Sequence, residues 1–390
     1  MSAASMPGLT QTEARPHGSL AEIIREFLRL GFVAYGGPAA HIAVMEERFV
    51  RRRAWITRER FLDLVGAVNL LPGPSSTELA IYVGEIRGGL AGLIFAGACF
   101  IFPAAVLVVG LAWAFEKFGT VPQVTGLLFG IKPVVVALIA QAVWNLARAA
   151  LKSVALATLS LVVVALAIWG VPVLLLLIAA GAFWMAIREG RRLANLRTGV
   201  AGVFGTFSVA TGAAIGLVPL SLYFLKVGAV LFGSGYVLLA VLRADLVVRL
   251  HWLTDAQLLD AIAVSQATPG PFFTVATFIG YLLGGWKGAS LATAGMFLPA
   301  FVYVAATAGF LPRLRKSPLA STFLDGVNAA AAALMAYVGW QFAHAALVNV
   351  PAIALALLSG LLAFRYEVNS TWLVLGGALA GILLRTFHVM

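Results

Sequence analysis

Two short stretches of an otherwise oily sequence hold residues that can do chemistry together. Residues 71–80 read LPGPSSTELA and residues 267–276 read ATPGPFFTVA. Each contains a Pro-Gly-Pro triplet: Pro72, Gly73 and Pro74 in the first, Pro269, Gly270 and Pro271 in the second. Hydroxyls surround both, with Ser75, Ser76 and Thr77 after the first triplet, and Thr268 before and Thr274 and Thr277 after the second. Proline removes an amide donor and disfavours helix in the residue before it, while glycine frees the backbone to turn. Each triplet therefore predicts the end of one helix and the start of another. A helix start offers free amides and about half a positive charge, and nearby hydroxyls add donors. The chemistry this suits is binding of an anion by neutral groups. The same hydroxyls also suit capping and back-bonding to their own helices, and the prolines also suit a kink in an ordinary spanning helix.

Further candidates lie around the triplets. Asn69 and Gln266 each stand three residues before one, where a side-chain amide can donate to an anion or bond a neighbouring helix. Gly36, Gly37 and Pro38 form another break, followed by His41, which either titrates near neutrality or acts as a structural donor. The matching stretch later in the chain is Gly233, Ser234 and Gly235. Lys132, in GIKP, is the cation set deepest in an apolar run; charges there mark function, although lysines also snorkel or pair structurally. Glu78 follows Thr77, where the positive helix end that would hold an anion also stabilises a carboxylate. A dianion bound beside it would favour its protonated form and link anion movement to a proton; otherwise Glu78 complements its helix end or pairs with Arg87. No cofactor or metal is expected. The single cysteine, Cys99, excludes an internal disulfide and a thiolate cage and reads as a small core residue.

The elements that position these residues are helices in a membrane. The 390 residues are 61% hydrophobic and 11% charged, with a mean hydropathy of +0.97, against roughly 45–50% apolar and about 25% charged in soluble domains. Stretches such as 153–169, 171–187 and 351–364 approach the ~20 apolar residues that cross ~30 Å of hydrocarbon, and without alternation they read as helices rather than a barrel. Residues 1–19 are polar and lack an apolar core, which predicts a disordered tail and no cleaved signal peptide. The net charge of +11 sits in short clusters between apolar runs, chiefly 46–60 and 188–197. That is the positive-inside pattern of cytoplasmic loops and not a nucleic-acid surface. A phosphate loop of the form GxxxxGK[ST] is absent from the sequence, which argues against an ATP-driven pump on this chain.

The chain repeats itself. Phe27, Gly31, Trp55, Asp63, the first triplet and Thr77 recur 197 residues later as Phe224, Gly228, Trp252, Asp260, the second triplet and Thr274. One residue is then lost, and Gly84, Pro103, Gly130 and Trp144 recur 196 later as Gly280, Pro299, Gly326 and Trp340. The units are read as 20–197 and 224–390, joined by an extra crossing within 198–223.

The motifs YGGPAAHIA (35–43), LPGPSSTELAIYVG (71–84), FGSGYVLLAVLRADLV (232–247) and the run 252–281 with its TPGPFFTVA resemble the chromate transporter family in its long, two-domain form. The resemblance covers nearly the whole chain from residue 20. It implies export of chromate across the inner membrane, giving chromate resistance, with sulfate as the related tetrahedral dianion that exchanges or competes. The family's aromatic before Gly-Gly is met by Tyr35, but the second copy reads Gly233-Ser234-Gly235, so the halves are not equivalent sites.

If every apolar segment spanned, the basic clusters at 46–60 and 188–197 would face opposite sides. A re-entrant hairpin over 61–84 turning at the first triplet, with spans at about 88–115, 121–147, 152–169 and 171–188, restores agreement. The extra crossing then inverts the second unit and puts the basic loop 312–316 in the cytoplasm. The expectation is an all-α integral membrane protein of two homologous repeats in inverted topology, with Pro/Gly-broken re-entrant or discontinuous helices meeting near the midplane. Its partners are the lipid bilayer and the oxyanion, with monomer and homodimer both open. A secondary oxyanion carrier leads over an anion channel or a carrier without chromate specificity, and over a cation pathway or membrane enzyme, for which carboxylate rings or His and Cys clusters are lacking. Asp63 and Asp260 are expected to cap helices or pair with loop arginines, and Trp55, Trp144, Trp252 and Trp340 to anchor at interfaces.

Overall fold

The computed structural model describes residues 18–119, 121–193, 216–232, 235, 237–308 and 318–387. The tail 1–17, most of the linking segment, the loop 312–316, and Gly233 and Ser234 lie outside the described residues, as do the expectations that fall on them.

Among the described residues the fold is helical, and each element of the first repeat returns in the second. The first runs α1 (Leu20–Val33), α2 (Pro38–Met45) with a π-helical turn Glu46–Arg52, α3 (Arg58–Val68), α4 (Ser75–Phe118), α5 (Pro122–Ala150), α6 (Val154–Ile168) and α7 (Val173–Leu193). The second runs α8 (Leu217–Val230), α9 (Val237–Leu242) with a π-helical turn Arg243–Arg249, α10 (Asp255–Ala267), a 3₁₀ turn Phe272–Thr274, α11 (Val275–Thr307), α12 (Pro318–Ala346), α13 (Val350–Arg365) and α14 (Ser370–Thr386). Local chemistry repeats with them. Thr57 and Thr254 cap α3 and α10 by accepting amides of Arg60 and Gln257, and Ala54 and His251 share the left-handed backbone at φ 47° and 51°. Where the first copy enters α4 directly at Ser75, the second passes through a 3₁₀ turn over the equivalent residues Phe272–Thr274 before α11 begins.

Both α4 and α11 fold back on themselves. Gly88 and Gly89 leave helical geometry, the latter at φ 56°, ψ −147°, and Gly284 and Gly285 do the same, the latter at 57°, −150°. That second conformation is open to glycine alone. Gly84 then faces Gly92 so closely that a Cβ on it would lie 2.5 Å from the Gly92 carbonyl, as one on Gly280 would from Gly288. Residues eight apart in a straight helix would stand about 12 Å apart. Each element is thus a short limb (75–87, 275–283) laid along a long one (90–118, 286–307).

Four helices among the described residues are long and apolar enough to cross a membrane: Ser75–Phe118, Val124–Ala150, Phe272–Thr307 and Pro318–Ala346. The long limbs alone, 90–118 and 286–307, rise about 43 and 33 Å, enough for about 30 Å of hydrocarbon. Their outer faces expose large apolar side chains, Phe102, Trp286 and Leu298 among them, and the other helices do the same at Trp144, Leu161, Trp340 and Leu357, as a lipid-facing surface does. Trp252 departs from the expected anchors: it is buried against Tyr223.

The repeats are interlocked. α4 packs on α11 and α5 on α12, and α5 also packs on α14 as α12 does on α7. Glycines bring these backbones together, Gly126 and Gly130 against Gly381 and Gly377, and Gly326 against Ala180 and Gly181. The C-terminal end of α5 (Leu146, Ala149) meets the first half of α12 (Leu324, Asp325, Asn328), and the C-terminal end of α12 (Ala345, Ala346) meets the first half of α5 (Leu128, Phe129, Lys132). The equivalent helices α5 and α12 therefore run antiparallel.

Candidate functional site

Both triplets interrupt helices, and each break is held by the other repeat. α3 ends at Val68 and α4 starts at Ser75; α10 ends at Ala267 before the 3₁₀ turn. Gly73 and Gly270 take positive φ, 130° and 95°. The Gly73 amide donates to the Leu231 carbonyl at 2.8 Å, and the Gly270 amide donates to the Ala34 carbonyl at 2.7 Å. Ala34 and Leu231 are themselves equivalent, ending α1 and α8. The result is a reciprocal clasp. Both glycine amides are thus engaged across the repeats, while the glycines keep the turning role their positive φ gives them.

The donors left at the first break are the start of α4. Thr77 and Glu78 donate their amides to the Pro74 carbonyl, whereas those of Ser75 and Ser76 have no backbone acceptor among the described residues. Ser75 opens onto a cavity of about 320 Å³ that also touches Pro38, Asn69 and Gly235. This brings four of the expected residues together from both repeats. Lys152 stands at the same cavity and donates to Asp325 at 2.8 Å. Asn69 also donates to the Val65 carbonyl of its own helix at 3.0 Å. Gly36, at φ 101°, and Gly37 turn the chain into α2, with Gly37 as N-cap and Pro38 in the first turn.

Behind this surface lies a buried polar group set. His41 is 1% exposed; its Nδ1 lies 3.3 Å from Ser76 Oγ, the Phe100 ring stands edge-on to it, and its Nε2 has no partner among the described residues. Thr77 and Glu78 are 0% exposed, and neither Thr77 Oγ1 nor either Glu78 oxygen has a hydrogen-bond partner among the described residues. Arg87, proposed from sequence as a partner for Glu78, instead pairs with Glu22 at 3.3 Å and stands over the Trp55 ring.

The second break accounts for its side chains differently. Thr268 donates to the Ser265 carbonyl, Thr274 to the Pro271 carbonyl at 2.8 Å, and Thr277 shares a hydrogen bond with Thr293 at 2.7 Å. Pro269 and Gln266 are buried, and Gln266 Nε2 and Ser265 Oγ lack partners among the described residues. Sequence reasoning missed Ser265, whose counterpart is Val68. It also misassigned Asp260, which pairs with Lys132 at 3.1 Å and not with a loop arginine. That pair lines a second cavity of about 720 Å³ with Thr125 and Gln257, at the opposite end of the α5–α12 pair from the first.

These features define a multi-pass α-helical membrane protein whose two repeats share one set of broken helices. The chain belongs to the chromate transporter family: the family profile matches residues 21–186 and again 218–382. It is therefore a transport protein. It is similar to the chromate transport protein of Cupriavidus metallidurans, 32% identical over 380 residues and 94% of each chain. A chromate transport protein of Pseudomonas aeruginosa is 31% identical over 391 residues, 95% of this chain and 94% of that one. No solved structure matches.

Proposed function

We propose that the protein is a secondary carrier that exports chromate from the cytoplasm across the inner membrane, with sulfate competing for or exchanging at the same site. The observation that carries this reading is the reciprocal clasp, Gly73 to Leu231 and Gly270 to Ala34. Two equivalent contacts whose exchange swaps the roles of the repeats are what alternating access requires. The antiparallel α5–α12 pair supports inverted topology, with the short limbs entering from opposite faces as re-entrant elements. By the positive-inside rule the first cavity, beside Lys152, opens to the cytoplasm and the second, beside Lys132, to the outside. An oxyanion entering the first cavity meets the free amides of Ser75 and Ser76, the Ser75 hydroxyl and Asn69 at the positive end of α4, with Gly235 and Pro38 as the facing wall. Gln266, Ser265 and Lys132 offer it donors on the way out. Outward movement of a dianion runs down an inside-negative potential, about 4.6 kcal/mol per 100 mV for two charges.

The test is flux of labelled chromate and sulfate into proteoliposomes under imposed voltage, pH and counter-anion gradients. Saturable, gradient-dependent chromate movement inhibited by sulfate is expected. Movement of neither anion would overturn the reading, and unsaturable conductance would replace the carrier with a channel.

A further inference from the structure

Glu78 has no role in that scheme, yet its placement is costly. It is fully buried, both carboxylate oxygens lack a partner among the described residues, and it bends back over the break so that a Cβ on Gly73 would lie 2.7 Å from its Oε1. The same Gly73 faces the Gly228 carbonyl and bonds Leu231, so the carboxyl group lies at the clasp between the repeats. The second copy has Phe272, Phe273, Thr274 and Val275 in the matching turn and no carboxylate.

Among the described residues no cation pairs with it. The titratable side chains nearest on the adjoining limbs are engaged elsewhere: Tyr82 on its own limb is bonded to Thr307, and Tyr303 on α11 donates to the Ala229 carbonyl. On the other elements packed against α4, His41 of α2 faces Ser76, and Glu22 and Glu26 of α1 are held by Arg53, Arg87 and Arg48. Asp260 of α10 is held by Lys132; α3 carries Asp63 and α8 carries Lys226. An ionised carboxylate in this position would lack both hydrogen bonds and a cation, so the closed geometry accommodates the neutral acid.

Resting on the reading of the chain as an alternating-access carrier, we propose that Glu78 is a proton-binding gate of the cycle, protonated while the first break is clasped and ionised when the clasp at Gly73 opens to water. The step is an acid ionisation: the carboxyl O–H bond breaks, the proton passes to water in the first cavity, and the carboxylate remains hydrated until the break closes again. Proton uptake and release occur on the side to which that cavity opens, so pH on that side alone sets how readily the break opens.

Two readouts test this. In detergent, without any transport, infrared difference spectra at neutral pH should show a buried carboxylic-acid carbonyl band in the wild type that Glu78→Gln removes; identical spectra would overturn the proposal. In proteoliposomes buffered independently on each side, wild-type chromate flux should change with pH on one side by up to about tenfold per unit where the gate titrates. Glu78→Gln and Glu78→Val, the latter borrowing the second copy's residue, should lower flux and remove that dependence from the flux that remains. An unchanged pH profile in both variants also overturns it. A wild type that moves no chromate fails the carrier reading, and the infrared band still decides the status of Glu78.

Discussion

The two Pro-Gly-Pro breaks share a backbone and differ in what their side chains leave undone. At the second, Thr268, Thr274 and Thr277 all find partners within the same repeat. At the first, Thr77, Glu78 and His41 each bury a polar atom without a partner among the described residues. Buried polar groups are normally paired, so orphans gathered at one place mark a demand other than stability. Duplication thus fixed a scaffold of clasp, break and glycine fold-back, and the halves then diverged: the first break leaves Thr77, Glu78 and His41 with polar atoms to spare after or beside it, whereas the second satisfies its three threonine hydroxyls and leaves only Ser265 and Gln266, ahead of its triplet, unpartnered among the described residues.

The largest expected effect separates the two glycines of the clasp. Gly270 has φ 95°, and a Cβ there would lie 2.5 Å from Ala104 Cβ, held by the α4 backbone. Gly73 has φ 130°, but its Cβ would meet the movable end of Glu78. Backbone strain applies to both, while overpacking against a rigid neighbour applies to Gly270. Gly270→Val should cost about 4 kcal/mol and remove nearly all folded, active protein; Gly73→Ala should leave inserted protein with reduced flux. Fluorescence-detected size exclusion after heating, together with flux, measures both. Equal losses at the two sites would break the distinction drawn between them.

Sequence carried the scaffold further than the site. Prolines and glycines act on their own backbone, so the breaks at 72–74 and 269–271 and the repeat register were legible from residue types. The clasp was not, because Gly73 meets Leu231 across 158 positions and Gly270 meets Ala34 across 236. The fold-back at Gly88 and Gly89 was not legible either, because it comes from dihedrals that the glycines permit but do not announce. Asp260 misled for the same reason as the clasp: its partner Lys132 lies on α5 of the other repeat, out of reach of local arguments about loop arginines.

An intermediate effect contrasts the ion pairs of the two cavities. Lys132 and Asp260 have side chains 24% and 7% exposed, whereas Lys152 and Asp325 are 61% and 33% exposed. Removing one partner of a buried pair strands the other, but an exposed pair contributes little. Lys132→Met should destabilise by about 2 kcal/mol after discounting for the part-exposed lysine, with most of that recovered in Lys132→Met/Asp260→Asn. Lys152→Met should cost less than about 0.5 kcal/mol. Thermal melts in detergent decide it, and equal shifts for the two lysines would mean that the second cavity is as wet as the first.

The smallest effect is the sharpest comparison, because its sign differs between copies. Thr77 Oγ1 is buried and unpartnered among the described residues, while Thr274 Oγ1 donates to the Pro271 carbonyl. Valine keeps the shape of threonine and removes the hydroxyl. At position 77 this deletes an unsatisfied polar atom, so Thr77→Val should melt no lower than the wild type and slightly higher. At position 274 it deletes a hydrogen bond and leaves the Pro271 carbonyl short of a donor, so Thr274→Val should lose about 1 kcal/mol of stability. Transport should divide the other way. If the Thr77 hydroxyl waits for an oxyanion, Thr77→Val weakens chromate affinity by about fivefold, the equivalent of about 1 kcal/mol, and Thr274→Val leaves affinity unchanged. Melting midpoints and half-saturating chromate concentrations from the same preparations make the test. A Thr77→Val protein that is both less stable and unaltered in affinity would return that hydroxyl to an ordinary helix-capping role and remove it from the site.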